Sequence, residues 1–478
     1  MRQIYIGARA GEHLVSLSHL HTRAWAIATL LALLASTEAS ASGNIDRDSI
    51  FPPRERPSPP FATLQPAGAD PDSSSAAATN SPTNLYSEAY WSAVSDLDLS
   101  EVTRTARSTQ ETEFARGMNL LANGDFAAAE TMFATLGRGA GDFNVGIAAQ
   151  MMLAHTLMYE RKWSALRDLP ANPELKSEDK RNTAELERWG HAFANIEPQS
   201  IAFPAKPASM KLEITALGTP AIKVKINGKE YEFWLDTGSG ITVLSSEVAA
   251  DAGVPTISSD SLTVRTFSGT ASVRPALVRK MTVGQIVLTN TPAIIIDASM
   301  MLLKSPTDGL ARVNQHVDGI LGWDFIRQFD LLMDYDEGTL QLARPETDVQ
   351  RSGVQNLTWI GQPLVEVRTS DGKTLHLALD TGAQATLLNA TVLDKVGGVT
   401  KSIATHLYGL ARTTTSNSRI IPELPLQVAG KSVQLHNVIV YGPRYSGLIG
   451  CDGILGSDVG QFGVLHIDAT NGVFSVGV

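Results

Sequence analysis

Cysteine is almost absent from this chain: one residue, Cys451, is found among 478. One thiol cannot form an internal disulfide, and it excludes zinc sites built from several cysteines. Cys451 lies in an apolar, glycine-rich run with no histidine close to it in the sequence. We therefore interpret it as a small structural residue rather than as a nucleophile.

Positive charge and aromatic side chains are also scarce. The 39 Lys and Arg residues are outnumbered by 49 Asp and Glu residues, and the net charge of -10 offers no electrostatic surface for DNA or RNA. We therefore expect no nucleic-acid partner. Aromatic residues make up 6% of the chain, whereas glycine occurs 39 times. This composition is typical of β-rich folds with many turns.

The apolar run near the N-terminus is too short to span a bilayer as a helix. It covers residues 24–35, follows Arg23, and precedes Ala39-Ser40-Ala41, which has the small-residue pattern of a cleavage site. We predict a signal peptide over 1–41 and export to the periplasm, where a chain without disulfides fits. No cysteine follows where a lipoprotein needs one, so we expect no stable membrane anchor. A buried apolar helix is the alternative for this run.

Composition divides the rest of the chain into four segments. Residues 42–100, rich in Pro, Ser, Ala and Asp, are predicted to be a disordered linker. Apolar residues at helical spacing predict a small all-α domain over 101–195. Short β-branched runs between Gly, Asn-Gly and Asp-Gly turns predict two β lobes, over 205–345 and 355–478.

The helical segment resembles tetratricopeptide repeats. Small and aromatic residues occur at that motif's spacing, followed by a poorer second copy: Gly117, Gly124, Phe126, Ala129 and Phe133, then Ala154, Arg161 and Trp163. Small residues let the two helices of a pair approach closely, and aromatic residues fill the groove between them. A plain helical bundle is the alternative.

The β region repeats itself in sequence. Each half places an apolar strand directly before Leu-Asp-Thr-Gly, at 235–238 and at 379–382. Each half then continues to Asp-Gly-Ile-Leu-Gly, at 318–322 and at 452–456. A single Asp-Thr-Gly is typical of an ordinary turn. Two of them, each followed by the same later segment, indicate a duplication that carries chemistry.

The two aspartates of this duplication, Asp236 and Asp380, are the candidate catalytic residues. Peptide hydrolysis needs a nucleophilic water and an electrophilic carbonyl group. Two carboxyl groups held close together share one proton because both cannot ionise cheaply. The ionised member then draws a proton from the water while the protonated member donates to the carbonyl oxygen. Such a dyad titrates as one unit.

Both halves resemble the retropepsin-like and pepsin-like aspartic peptidases, in which each lobe brings one Asp-Thr-Gly loop and one later apolar-apolar-Gly segment. The resemblance covers about residues 211–478. It implies a multi-domain chain with an all-β, bilobal acid-protease fold, in which two retropepsin-like lobes follow the helical domain. It also implies a hydrolase, an aspartic-type endopeptidase that acts on a protein or peptide substrate.

The resemblance assigns supporting roles in the two loops. Gly238 and Gly382 allow close backbone approach, so that their amides can donate to the carboxylates. Thr237 and Thr381 are expected to hydrogen-bond across the lobe interface and to hold the two loops together.

Other expected roles differ between the halves or lie behind the loops. Ser239 is expected to bond the outer oxygen of Asp236, whereas Ala383 at the matching position cannot form such a bond. Gly322 and Gly456 are expected to pack behind the loops.

A substrate-covering flap is also implied, and each lobe offers a candidate hairpin. The first contains Phe267 and Gly269, and the second contains Tyr408 and Gly409. Tyr408-Gly409 resembles the pepsin flap pair but lies in the second lobe. An ordinary exposed hairpin is the alternative for either.

No competing chemistry stands out in the sequence. HExxH, a Walker loop and a dinucleotide fingerprint are all missing, so we expect no cofactor and no metal. Asp318, Asp324, Asp452 and Asp458 recur beside Asp-Gly turns, which favours hydrogen bonding over metal ligation.

Two functions therefore compete. One is an active aspartic endopeptidase, and the alternative is a catalytically silent protein-binding module. For the helical segment, docking of a protein partner is favoured over a removable cover whose Lys and Arg residues, from Arg161 to Arg181, approach the carboxylates.

Overall fold

The computed structural model describes the part of the chain that follows the predicted signal peptide and most of the predicted linker. The described residues are 88–139, 141–169, 177–215, 218–259, 261–266, 269–304, 314–346, 355–397, 400–408, 413–440 and 448–477. The predicted signal peptide lies outside them.

The first described part is helical. Its helices are α1 (Glu88–Asp96), α2 (Leu99–Thr105), α3 (Thr109–Ala122), α4 (Phe126–Gly139), α5 (Phe143–Tyr159), α6 (Trp163–Arg167) and α7 (Ser177–Phe193). The predicted linker boundary at residue 100 is therefore wrong, because α1 and the start of α2 lie before it. Tyr90, Trp91 and Val94 on α1 are buried, and this apolar contact stabilises a helix whose flanking sequence is polar.

Local signals set the bounds and packing of these helices. Ser108 and Glu111 form a capping box at the start of α3. Gly117 on α3 lets the Phe133 ring of α4 come so close that an added Cβ would lie 2.7 Å from Cε1. The assignment of these helices to tetratricopeptide repeats stays a prediction.

The first lobe contains most of the next fourteen strands. They are β1 (Ser200–Ala202), β2 (Ala208–Lys211), β3 (Glu213–Ile214), β4 (Pro220–Ile226), β5 (Lys229–Leu235), β6 (Val243–Ser245), β7 (Leu262–Thr266), β8 (Gly269–Val283), β9 (Ile286–Ile296), β10 (Leu302–Lys304), β11 (Asn314–His316), β12 (Gly319–Leu321), β13 (Asp330–Asp334) and β14 (Thr339–Ala343), with helices α8 (Ser246–Asp251) and α9 (Trp323–Ile326) and a 3-10 turn, Ala298–Met301. Strand order β9-β6-β12-β5-β4-β8 closes on itself because β8 pairs with β9. Because β1 pairs with β9, the lobe begins before residue 205, the predicted boundary.

The second lobe repeats this closed arrangement. Its elements are β15 (Leu357–Trp359), β16 (Pro363–Thr369), β17 (Thr374–Leu379), β18 (Leu387–Leu388), α10 (Leu393–Val396), β19 (Lys401–Tyr408), β20 (Thr413–Val428), β21 (Lys431–Val440), β22 (Gly453–Leu455), β23 (Val464–Asp468) and β24 (Val473–Val476), with 3-10 turns at Ala390–Val392 and Ser457–Phe462. Order β16-β17-β22-β18-β21-β20 closes because β16 pairs with β20. Two closed β lobes of equivalent topology therefore follow the helices.

A separate sheet joins the lobes. Its order is β2-β14-β13-β23-β24, and β13 of the first lobe pairs antiparallel with β23 of the second from Asp330↔Asp468 to Asp334↔Val464. The last hairpin of each lobe thus belongs to a shared element rather than to its own barrel.

One hydrophobic cluster extends from the helical region into both lobes. It includes Val264 and Val273 of the β7–β8 hairpin in lobe 1 and Leu448 in lobe 2, together with most buried side chains of α1 to α7. The Gly450 N–H also donates to the Ser95 carbonyl of α1 at 2.8 Å. The helical region is therefore packed against both lobes.

Candidate active site

The two Asp-Thr-Gly loops follow equivalent strands at the centre of the molecule. Asp236 comes directly after β5, which pairs in parallel with β12, and Asp380 comes directly after β17, which pairs in parallel with β22. The N–H of Asp236 donates to Leu321 O at 3.1 Å, and the N–H of Asp380 donates to Leu455 O at 3.0 Å. Both side chains are buried.

Thr237 and Thr381 join the loops by four reciprocal hydrogen bonds. The N–H of each threonine donates to the hydroxyl of the other, at 3.1 and 2.9 Å. The Thr237 hydroxyl donates to Leu379 O at 2.8 Å, and the Thr381 hydroxyl donates to Leu235 O at 2.7 Å. This is the cross-lobe contact that the resemblance implies, and it fixes the spacing of the two carboxylates.

Each carboxyl group lies against the glycine of the opposite loop. A Cβ added at Gly238 would lie 2.6 Å from Cγ of Asp380, and one added at Gly382 would lie 2.4 Å from Cγ of Asp236. These are distances that a real side chain cannot adopt without movement. Glycine at both positions is therefore what lets the two aspartates meet at the lobe interface.

Backbone amides hold the carboxylates in place. Asp236 Oδ1 accepts from Gly238 N at 2.9 Å and from Ser239 N at 3.2 Å, while Asp380 Oδ1 accepts from Ala383 N at 2.9 Å. The Ser239 hydroxyl donates instead to Ile241 O at 2.8 Å. The prediction that this hydroxyl bonds Asp236 is wrong, because its single proton is engaged within its own loop.

The pKa of Asp236 is raised well above its ordinary value. Burial is the largest cause, followed by the negative charge of Asp380 and a hydrogen bond with that residue; the amides of Gly238 and Ser239 act in the opposite direction. A buried acid beside a second acid holds its proton more tightly because the doubly ionised pair is unfavourable. This is the environment in which two carboxyl groups share a proton.

Gly322 and Gly456 lie directly behind the loops. An added Cβ would lie 2.6 Å from Ile241 O at Gly322 and 2.4 Å from the Ala385 carbonyl carbon at Gly456. The next residues fasten the loops: Trp323 N donates to Ser239 O at 2.6 Å, and Ser457 N donates to Ala383 O at 2.7 Å.

The four later aspartates accept hydrogen bonds in matched pairs. Asp318 Oδ2 accepts from Glu232 N, and Asp452 Oδ2 accepts from His376 N, both at 3.0 Å. The Thr242 hydroxyl donates to Asp324 at 3.0 Å, and the Thr386 hydroxyl donates to Asp458 at 2.8 Å. Within the part of the chain that the structure describes, no group of three or more His, Cys, Asp or Glu residues is arranged to hold a metal.

Asp324 also faces a cation of the helical region. Arg161, between α5 and α6, places Nη2 3.6 Å from Asp324 Oδ2 and donates to Asp324 O at 2.6 Å. Burial raises the pKa of Asp324, and Arg161 opposes that rise; burial also lowers the pKa of Arg161 to about 10. Arg327 of the same lobe donates to Tyr159 O, and its guanidinium carbon lies 3.9 Å from the centre of the Tyr159 ring.

The cationic side chains described between Arg161 and Arg181 pair with acids away from the dyad. Lys162 contacts Glu130 and Glu160, and Arg167 contacts Asp168. The expectation for a removable cover, that such residues approach the catalytic carboxylates, does not hold for these two. The Arg181 side chain lies outside the described residues.

The candidate flaps are hairpins at equivalent places in the two lobes. Thr266 pairs with Gly269 where β7 turns into β8, and Tyr408 pairs with Thr413 where β19 turns into β20. Phe267 and Gly409 lie outside the described residues. Which hairpin covers a substrate stays a prediction.

The first of these hairpins is covered by the helical region. Leu262 and Val264 of β7 and Ala271 of β8 are buried in the cluster shared with the helices. The Thr263 N–H donates to Glu185 Oε1 of α7 at 2.8 Å.

A pocket of about 660 Å³, part of it open to solvent, lies beside the loop of Asp236. Gly238 and Gly240 of that loop border it, α5 and the turn after it form one wall, and the segment 359–363 of lobe 2 forms another. Sequence analysis missed this pocket. Tryptophan was the available sequence signal, because it is rare in this chain. Three of the seven tryptophans line the pocket: Trp163, Trp323 and Trp359.

Comparison with known proteins agrees with the site in lobe 1. Residues 222–325 match the family model described as aspartyl protease. The matched residues extend from β4 into α9 and include Asp236 and Gly322. A crystal structure of a retropepsin-like aspartic protease from Rickettsia conorii aligns over 31% of this chain and 95% of its own, with 16% identity and a TM-score of 0.20. No curated protein matches the chain.

Residues 222–325 are therefore similar in sequence to aspartyl protease domains. No helix among the described residues is long and apolar enough to cross a membrane.

Proposed function

We propose that this protein is an aspartic endopeptidase that hydrolyses peptide bonds with a water held between Asp236 and Asp380. The observation that carries the proposal is the contact of each carboxyl group with the other loop's glycine, held by the reciprocal threonine bonds. A protein that only bound a partner would gain nothing from two buried acids placed against each other, since that arrangement costs stability when both ionise.

The mechanism follows from the shared proton. One carboxylate accepts a proton from the water as the water attacks the substrate carbonyl carbon. The other carboxyl group donates its proton to the carbonyl oxygen, and the dyad acts as one titrating unit. Because the pKa of Asp236 is raised, the singly protonated dyad persists to higher pH than an ordinary aspartate allows. Activity is expected to fall as pH rises through that raised value.

The further parts of the proposal rest on sequence. The apolar run at 24–35 supports export to the periplasm, and protein substrates there are the expected targets. The repeat-like spacing around Gly117 and Phe133 supports a tetratricopeptide-like helical domain that also contacts a protein partner.

The experiment compares the protein with single and double variants on an unstructured protein such as casein, over a range of pH. Asp236→Asn and Asp380→Asn are each expected to lower kcat by about 10³-fold or more, and the double variant by little more, because the two act as a unit. Asp251→Asn, an exposed aspartate of lobe 1, is the matched control and should keep full activity.

Two results would count against the proposal. Wild-type turnover in either single variant would show that the acids do not act together. A folded wild-type protein without cleavage at any pH would favour the silent binding module.

A further inference from the structure

The pocket beside Asp236 is continuous with the catalytic loop. Thr237 and Gly238 line it and are the two residues that follow Asp236, and Gly240 at its edge is exposed. A peptide whose scissile bond lies at the dyad therefore passes close to the pocket. The space between its walls is about 660 Å³ when the part open to solvent is included.

The second loop contacts the segment that precedes β4. The Ser457 hydroxyl donates to Gly218 O at 3.0 Å, and a Cβ added at Gly218 would lie 3.2 Å from Cγ of Gln384. Gly382 is buried, whereas Gly238 is half-buried. The loop of Asp236, which borders the pocket, is therefore more exposed at this glycine than the loop of Asp380.

The pocket walls are mainly aromatic and apolar. Trp163, Trp323 and Trp359 share the lining with Tyr159, whose ring centre lies 4.3 Å from that of Trp359.

The helical region supplies one wall through Met158, Tyr159 and Trp163. Charge on the lining is largely engaged, because Arg161 pairs with Asp324 and Arg327 lies over the Tyr159 ring. A bulky apolar side chain is the occupant that this lining favours, since it gains contact area with aromatic rings and leaves no charge unpaired.

We propose that this pocket is a substrate subsite that binds one bulky apolar side chain of the peptide, and that Met158 of the helical region is a specificity-determining residue. This inference rests on the proposed peptidase function. It makes the helical region a permanent part of the cleft rather than a removable cover.

The test uses Met158→Trp, which fills the pocket, and Met151→Trp as a matched control. Met151 lies two turns earlier on α5, is also half-buried, and is absent from the pocket lining. The substrates are peptides based on one cleaved sequence, in which each position in turn is Phe or Ala. Wild type and Met151→Trp should prefer Phe over Ala at one position by about tenfold or more in kcat/KM, and Met158→Trp should lose that preference.

The result that overturns the proposal is an unchanged Phe preference in Met158→Trp, or a preference lost equally in both variants. The measured quantity is the ratio of kcat/KM for the Phe peptide to kcat/KM for the Ala peptide within each variant. A general loss of cleavage would mean that the substitution disturbs the dyad and not a subsite.

A second measurement separates this inference from the proposed function. Labelled Phe and Ala peptides are titrated into Asp236→Asn with and without Met158→Trp, and binding is followed by fluorescence anisotropy. Tighter Phe binding that Met158→Trp removes supports the subsite, even if the wild type cleaves nothing and the peptidase proposal fails. Equal binding of the two peptides, or none, overturns the subsite.

Discussion

The two lobes bury corresponding aspartates, Asp324 and Asp458, in different electrostatic surroundings. Each side chain accepts a hydrogen bond from a threonine hydroxyl, and each aspartate comes two residues after the glycine that packs behind its catalytic loop. Asp324 faces Arg161 of the helical region. For Asp458, burial dominates and raises the pKa to about 6, although the backbone and side chain of Thr386 lower it.

The difference between the surroundings of Asp324 and Asp458 shows where the duplicated halves diverged. The hydrogen bonds that shape each lobe are retained in both, because they hold the loop behind each aspartate. Burial raises the pKa of both acids, but only at Asp324 does a cation of the helical region oppose that rise among the causes found for these two groups. The helical region packs against both lobes, and its Arg161 compensates the buried acid of lobe 1.

The largest effect is expected when the ion pair between Arg161 and Asp324 of lobe 1 is broken. Arg161→Met leaves the Asp324 carboxylate buried without its cation, and we expect the free energy of unfolding at pH 7 to fall by about 3–5 kcal/mol. The loss should be smaller at pH 4, where Asp324 can take up a proton. Urea denaturation at both pH values measures it.

Lys162→Met is the control for Arg161→Met. Lys162 forms partly exposed ion pairs with Glu130 and Glu160, and such pairs contribute at most about 1 kcal/mol. Similar losses for the two variants would show that Arg161 does not compensate a buried charge.

Asp458→Asn tests the buried acid of lobe 2 through the pH dependence of the free energy of unfolding. Because the folded pKa of Asp458 is raised from 3.8 to about 6, its contribution to stability is fully present below pH 4 and is lost as pH rises through 6. The change amounts to about 3 kcal/mol. Asp458→Asn lacks this dependence, so its unfolding free energy relative to wild type should rise by about that amount between pH 4 and pH 7.

Asp324→Asn provides the comparison with lobe 1. Arg161 favours the charged form of Asp324, so the same pH series should show a smaller rise. A flat difference between Asp458→Asn and wild type would contradict the raised pKa.

The smallest effect is expected from a substitution that makes the two catalytic loops alike. Ser239→Ala gives lobe 1 the residue that lobe 2 has at Ala383 and removes one hydrogen bond to Ile241 O, which should cost about 1 kcal/mol of unfolding free energy. The pH–rate profile should stay in place, because the hydroxyl does not bond Asp236. A shift of the acidic limb in Ser239→Ala would contradict this account.

Thr237→Ala, which removes a cross-lobe donor, should instead lower kcat strongly.

Sequence predicts the centre of the molecule well because the duplication repeats it. The pairing of two Asp-Thr-Gly loops with later glycines predicts that Asp236, Asp380, Gly322 and Gly456 share one place, and the structure brings them together. Their catalytic roles stay predictions. The β class follows from turn residues and β-branched runs. These signals are local and are present in both halves, so each half supports the other.

Contacts between distant segments are what the sequence does not reveal. Arg161 and Asp324 are separated by 163 residues, and neither carries a local sign of the other. The direction of the Ser239 hydroxyl depends on which of several acceptors the folded loop brings nearest. The sequence did not predict α1, because polar residues precede it and outweigh its few apolar ones. Tyr90, Trp91 and Val94 become buried only when the helix packs.

The strand pairing between β13 and β23 has a consequence for behaviour on dilution. Where two separate chains must meet to bring two acids together, the fraction assembled falls with concentration. Here five residue pairs join the halves within one chain, and the second half is always present at the high effective concentration that a covalent link provides. The specific activity per molecule should therefore be independent of protein concentration, down to the lowest amounts that can be assayed.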